Sequence, residues 1–376
     1  MARKFGKLTP VVCGMRSGSV RQSGGHHVWL GWLVGVTAVT LAIASAVAGY
    51  AGAAKPKEST VPLNVAVGST TTSYGAFWVA EAKGLFAKHH VNVNVTSYNA
   101  STTTSVLVES GQVTLALFTA PLGMEIASAG KPTWFVYELS NYQAGAQAVI
   151  TQKSITSMRQ LKALNPCRLA TVGAGTLLYG FGHSVIKGFG LSNCQIVPEG
   201  TVPEEVSAVA SGSVQAAVVP YASAASAVAS GAVHLTLNPL KESARLAKTL
   251  VPHVYPAFVV FGLRSAISAH KVAVQRFVAA LRQANALLLR TPVATLGTMT
   301  AGLPAFSGSP ASVLAQAWRG TLSQIPSGPS AGFINKKMWR AALNGFASWG
   351  IPGYSPHNPA YAYRSIVNMN FILKRK

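Results

Sequence analysis

The chain has 376 residues, 49% of them hydrophobic, with 31 Lys and Arg against nine acids and a formal net charge of +22. That is room for two domains plus a leader, with ample apolar residues for packed cores. All nine acids are Glu, Asp is absent, and only 11% of residues are charged. The basic residues are thinly spread beyond the leader, and no Lys/Arg run is interleaved with aromatics apart from the Lys374-Arg375-Lys376 tail, which argues against a nucleic-acid-binding surface. An exported protein facing an acidic or anionic exterior accounts for the bias, because carboxylates titrate there and contribute little.

Five basic residues (Arg3, Lys4, Lys7, Arg16, Arg21) precede an uncharged stretch from Val28 to Ala54, and every Glu follows it. The basic flank stays inside, which puts the bulk of the chain outside the cytoplasm. Two readings compete for 1–54. Small residues at Ala46-Val47-Ala48 and Ala51-Gly52-Ala53 fit a cleaved signal peptide, whereas the length fits an uncleaved anchor. Cys13 lies before the apolar stretch, so attachment through a lipid-modified cysteine after it is not expected.

Beyond the leader, strand and helix patterns alternate. Leu63–Val67 reads as a strand, followed by the polar loop Gly68–Tyr74, a helix over 75–87 and the alternating strand Val91–Val95. A helix over Thr103–Ser110 leads into a unit that occurs twice. Ser110-Gly111-Gln112-Val113-Thr114-Leu115-Ala116 is followed by a loop with Pro121 and a helix-like run to Gly130. Ser211-Gly212-Ser213-Val214-Gln215-Ala216-Ala217 is followed by a loop with Pro220 and a helix-like run to Gly231. Nineteen positions separate the glycines in each. A repeated strand–loop–helix unit predicts two similar α/β lobes. Thr133–Leu139 and Ala146–Thr151 are further strands, a helix follows near Ser157–Leu164, and Ala257–Leu263 returns the chain to the first lobe. A long helix over Ser268–Arg290 precedes a C-terminal third of helix and loop. The expected division is a leader (1–54), lobe 1 (62–146 and 255–376) and lobe 2 (147–254).

Cys167 and Cys194 each sit immediately before a strand-like run, with a helix-like segment from Leu177 to Gly188 between those runs. A right-handed crossover makes the two strands parallel and adjacent, so the cysteines stand at the same end about 5 Å apart. A Cys167–Cys194 disulfide is favoured over two buried free thiols. No His or Cys falls at metal-ligand spacing beside them, and neither metal nor cofactor is expected.

Ligand-binding residues belong on loops at the C-terminal ends of strands, where helix N-termini present their amides. In lobe 1 these are Ser69, Thr70, Thr71, Ser73 and Tyr74, then Phe118 and Thr119, then Asn141 and Tyr142. In lobe 2 they are Gly173, Ala174, Gly175 and Thr176, then Pro220 and Tyr221. The Ser and Thr residues also suit plain capping and turn roles. Gly173-Ala174-Gly175 fails as a dinucleotide fingerprint, because the next glycine is Gly180 and no acid follows at the required distance. The loops hold no carboxylate except Glu199, which also reads as a solvated turn residue, so an anionic or neutral polar solute is expected.

The chain resembles substrate-binding proteins of ABC importers, and more narrowly the nitrate/sulfonate/taurine type, the SsuA/THI5-like family. The carrying residues are Ala80-Glu81-Ala82-Lys83-Gly84-Leu85-Phe86, Ser110-Gly111-Gln112-Val113, Ser154–Lys162, Ala170-Thr171-Val172-Gly173-Ala174-Gly175-Thr176 and the second repeat. They span about residues 62–290, in the family's order. The resemblance implies an α/β, two-lobed type II periplasmic-binding-protein fold with a ligand cleft between the lobes. It further implies capture of a sulfonate, nitrate-like oxyanion or pyrimidine-like solute by hinge closure and delivery to an ABC permease, by an extracytoplasmic monomer. The family usually has Asp after the Gly-x-Val of each repeat, where Thr114 and Gln215 stand here. Its thiamin-pyrimidine synthase branch relies on a cysteine-rich motif that this chain lacks.

Nothing points to catalysis: G-x-S-x-G, H-E-x-x-H and C-x-x-C are all absent, His89-His90 reads as a surface turn, and Glu204-Glu205 reads as an acidic first helical turn. The alternative to transport is a membrane-tethered ligand-sensing domain.

Overall fold

Small and β-branched residues build the strands, and glycines in the left-handed region punctuate them. The computed structural model describes residues 59–98, 103–142, 147–238, 241–242, 244–251 and 254–372. The leader, Cys13, the apolar stretch 28–54 and the basic tail lie outside the described residues, and the signal-peptide and anchor expectations lie there with them. Residues Lys57–Lys376 form one unit. No described helix is long and apolar enough to cross a membrane.

The strands are β1 (Val61–Val67), β2 (Val91–Ser97), β3 (Leu115–Thr119), β4 (Thr133–Asn141), β5 (Gln147–Thr151), β6 (Cys167–Val172), β7 (Cys194–Glu199), β8 (Ala216–Pro220), β9 (His234–Leu237) and β10 (Pro256–Leu263). They form two five-stranded sheets, in the orders β2-β1-β3-β10-β4 and β7-β6-β8-β5-β9. In each, three strands run parallel and the sheet is completed by antiparallel pairing: β10 lies between β3 and β4, and β5 between β8 and β9. The two-lobed α/β arrangement is therefore present, each lobe built on one sheet.

The repeat is real in three dimensions. β3 and β8 are both five-residue strands at the centre of their sheets, and each runs directly into a nine-residue helix, Ala120–Ser128 or Tyr221–Ala229. The flanking glycines Gly111, Gly130, Gly212 and Gly231 all have φ between 70° and 85°, a conformation that costs glycine nothing and other residues strain. They start and stop each unit at matching points.

Several element bounds differ from the sequence reading. The helix expected over 75–87 is split into Gly75–Ala82 and Leu85–Lys88, because Gly84 turns left-handed at φ 61°. The helix expected over 268–290 is Lys271–Leu288, set off from Arg264–Ala269 by His270. β9 and the helix Ala244–Leu250 were not foreseen. The cysteines are the first residues of their strands rather than the residues before them, and stand directly opposite each other in the β6–β7 register with Cα atoms 4.3 Å apart, joined as a disulfide.

Strand alternation sorts the second sheet onto two cores. Val149, Leu169, Ala216 and Val218 face the larger cluster, while Ala148, Ile150, Ala170, Ala217 and Val219 face a smaller one, as the two-residue period requires. Among the described Glu residues, Glu138 on β4 and Glu205 in the helix Val202–Ala210 are buried. Burial pushes the Glu138 carboxyl up to about 8. Burial likewise raises Glu205 well above the usual carboxylate range, with the nearby Glu199 charge adding to the effect.

Two predictions follow from the packing. The disulfide closes a 27-residue span, so a Cys167→Ala/Cys194→Ala variant should lose about 2–4 kcal/mol in urea unfolding; unchanged stability would mean the thiols are not joined. The buried carboxyls set a pH dependence. In the unfolded chain they ionise near 4.3, whereas folded Glu138 keeps its proton until about 8. Their stabilising contribution is thus complete below the unfolded value and is lost as pH rises through the folded one, at about 1.4 kcal/mol per pH unit per group at most. The melting temperature should be higher at pH 4.5 than at pH 8, and Glu138→Gln should flatten the profile.

Candidate functional site

Between the sheets lies a cavity of about 600 Å³. Its position follows from topology. The C-terminal ends of β1, β3, β6, β7 and β8 open onto it, and each is followed by a helical turn or helix whose first residues form the wall. The helices Ala120–Ser128, Leu177–Phe189, Val202–Ala210 and Tyr221–Ala229 all begin there, with Thr119, Thr176, Thr201 and Pro220 as their N-cap residues. Their positive dipole ends converge on the cavity.

Of the residues predicted from sequence, Ser69, Thr70, Thr71, Tyr74, Phe118, Thr119, Thr176 and Pro220 line the cavity. Thr71, Thr176 and Thr201 cap their own helical turns, accepting hydrogen bonds from the Ser73, Tyr179 and Glu204 amides at 3.2–3.4 Å. Thr119 donates to the Gly175 carbonyl at 2.8 Å and so joins the two lobes at one edge of the cleft. Tyr74 is fully buried, and burial pushes its hydroxyl above the usual phenol range, partly offset by Ser69. It meets Phe258 edge to face at 5.3 Å. Gly68 allows the Phe118 ring to lie against the main chain, where a Cβ would overlap it.

The remaining predicted residues stand outside the cavity lining. Ser73 is buried in the turn Thr72–Tyr74. The Asn141 side chain donates to the Gln324 carbonyl at 3.4 Å. Tyr142 packs on Tyr255 and Trp349. Gly173, Ala174 and Gly175 form the turn before Thr176. Tyr221 turns its hydroxyl to Gln316 at 3.2 Å. Glu199 also stands outside the lining, at the end of β7 beside Glu205.

The sequence reading missed two groups. Gln147 and Phe258 line the cavity from the antiparallel strands β5 and β10, opposite Pro220 and Thr119 in register. A rule that looks only at C-terminal strand ends cannot find them, because antiparallel strands bring their N-terminal ends to the same sheet edge. Gln147 is 3% exposed, and its Oε1 has no hydrogen-bond partner among the described residues. The second group, Phe306 and Ser309, comes from the C-terminal region. Thr201 and Ser207 were within reach of the sequence rule, since a Thr before Pro203 and two Glu is a helix start.

Among the described residues, no Asp, Glu, Lys, Arg or His lines the cavity, and Tyr74 is the one titratable side chain that does. The wall is hydroxyl-bearing on its loops and apolar between them, with Phe118 and Phe258 on one lobe and Leu177, Leu178 and Val206 on the other. Such a surface can hydrogen-bond a polar group and cover an apolar one, and it offers no counter-charge to a cation.

The fold is that of periplasmic binding proteins. The chain is similar to the alkanesulfonate-binding protein SsuA from Xanthomonas axonopodis pv. citri, with a TM-score of 0.62 and 16% identity over 83% of this chain and all of that one. It is similar to the nitrate-binding protein NrtA from Synechocystis PCC 6803, with a TM-score of 0.63 and 12% identity over 83% of this chain and 87% of that one. A third likeness is to the ligand-binding component of an ABC-type import system from Staphylococcus aureus, solved with zinc bound (TM-score 0.66, 11% identity, 84% and 99% covered). No curated protein sequence matches the chain. The NMT1/THI5-like family model matches residues 71–295, well over half the chain, and by that match the protein belongs to the NMT1/THI5-like family.

Proposed function

We propose that the protein is an extracytoplasmic solute-binding protein, which captures a small anionic or neutral polar solute between its lobes by hinge closure and delivers it to an ABC permease. The observation that carries this is the Gln147 side-chain amide, buried in the cleft wall with its Oε1 unpartnered. A buried acceptor without a partner costs about 1–3 kcal/mol, and a turn of the amide toward the cavity on solute binding would remove that cost. Because the amide can present either its oxygen or its nitrogen after rotation, it can read a donor or an acceptor on the solute.

Two features support the polarity of the solute. Four helix N-termini surround the cleft, which favours negative or electron-rich groups, and no carboxylate on the wall balances a cation. A sulfonate, a nitrate-like oxyanion and a pyrimidine-like ring all meet these terms. The chain crosses between the sheets twice, after β4 and after β9, and these crossings are where a hinge would act. The absence of a nucleophile–base pair or paired carboxylates on the wall supports binding without catalysis.

The test is thermal unfolding of the full-length chain in mild detergent, followed by tryptophan fluorescence, with inorganic anions, sulfonates and pyrimidines at pH 4 and 7. A solute at 100 times its Kd should stabilise the protein by about 2.7 kcal/mol. Gln147→Leu should leave the unliganded melting temperature equal or higher while removing the solute-induced shift. A shift retained in this variant would contradict the assignment of Gln147, and no shift with any solute would contradict the reading as a whole.

A further inference from the structure

The cleft has a contributor that belongs to neither sheet. Past residue 295, where the family match ends, the turn Pro304–Phe306 and the helix Ala311–Thr321 come back to the mouth of the cavity, and Phe306 and Ser309 line it. Phe306 is buried and meets Trp78 edge to face at 5.0 Å. The Trp78 indole in turn donates to the Thr71 carbonyl at 2.7 Å, so Phe306 is braced against the loop that carries the lobe 1 hydroxyls.

The helix Ala311–Thr321 fixes this segment to both lobes. On one side Thr321 and Thr72 share a hydroxyl hydrogen bond at 2.6 Å. On the other, Gln316 accepts from the Tyr221 hydroxyl at 3.2 Å, and Ala317 joins Tyr221 and Ala224 in the smaller core of the second lobe. The wall is therefore held rigidly where the two lobes meet, which positions a specificity contact better than a loose loop does.

Resting on the solute-capture reading above, we propose that residues 304–309 form a third wall of the cleft. Phe306 and Ser309 select a solute in which a polar head carries an apolar body, over a bare small oxyanion. The polar groups are on the loops and at Gln147, whereas Leu178, Val202, Val206 and the small exposed parts of Phe118, Phe258 and Phe306 present apolar surface that an inorganic anion leaves in contact with water. A volume of about 600 Å³ is also far more than such an ion fills. Covering the body of a larger solute with this surface adds binding free energy in proportion to the apolar area removed from water.

The test holds the head constant and adds a body: methanesulfonate against benzenesulfonate, and acetamide against benzamide, by calorimetry on the full-length chain. In at least one pair the benzene-bearing member should bind tenfold or more tightly than its short partner. Phe306→Leu, which keeps a buried apolar side chain but loses the flat ring, should cut that ratio about fivefold. Ser309→Trp, made at a partly exposed position, should fill the wall and reduce the ratio below twofold while the short member still binds. Gln147→Leu should weaken both members of a pair alike. Short members binding as tightly as long ones, or a ratio unmoved in both wall variants, would overturn the third wall and leave solute capture standing. No binding of any of the four by the unaltered chain would overturn this inference, and solute capture itself then stands or falls on the wider panel of anions and pyrimidines above.

Discussion

Each sheet in this protein is closed by antiparallel pairing with strands reached only after the chain has crossed between lobes. β10, reached from the second lobe, lies between β3 and β4, and β5, the first strand after the outward crossing, lies between β8 and β9. Because seven residues of β10 pair with β4, in a ladder interrupted by three register shifts, the first sheet cannot be completed until the chain has traversed the second lobe. The two crossings are thereby held side by side, and the C-terminal ends of the parallel strands of both sheets face one another. The cleft is a consequence of that pairing. So is its lining, since the same antiparallel strands bring Gln147 and Phe258 to the sheet edge where the parallel strands end.

The electrostatics of the molecule run in one direction. Acids are few, two of them are buried with their carboxyls shifted toward the protonated form, and the one ion pair found among the described residues joins Lys131 and Glu109 on the surface. The cleft continues the pattern, with hydroxyls, one amide and helix ends in place of charged side chains. A site of this kind keeps its character over a wide pH range, because among the described residues on its wall only Tyr74, a deeply buried phenol, can titrate.

The C-terminal region gives the fold a second kind of connection. Trp318 and Leu288 pack against Gly75 so closely that a Cβ there would clash, and Trp349 packs over Gly180 in the second lobe while meeting the Tyr142 ring at a tilt, with centroids 5.2 Å apart. Elements far apart in sequence thus contact both lobes away from the sheets. Any change in the separation of the lobes would have to slide or release these contacts.

Much of this was legible in the sequence because it is local. The repeat showed itself through glycines at equal spacing, whose left-handed conformation is a property of single residues. The pairing of Cys167 with Cys194 followed from one βαβ unit and its handedness. Eight of the cavity residues followed from the rule that loops after parallel strands carry the ligand. Gln147, Phe258, Phe306 and Ser309 did not, because nothing in a short stretch of sequence says which strand inserts antiparallel or where a C-terminal turn comes to rest. The same holds for Tyr221 and Tyr142, which have suitable positions after strands but are drawn away by Gln316 and Trp349. The sequence alone determined most of the elements, β9 and the helix Ala244–Leu250 apart, together with their order and the neutral, hydroxyl-rich chemistry of the loops. Tertiary structure decided which side chains meet in the cleft, since that depends on partners far apart in sequence, from 56 residues for Thr119 and Gly175 to 95 for Tyr221 and Gln316 and beyond.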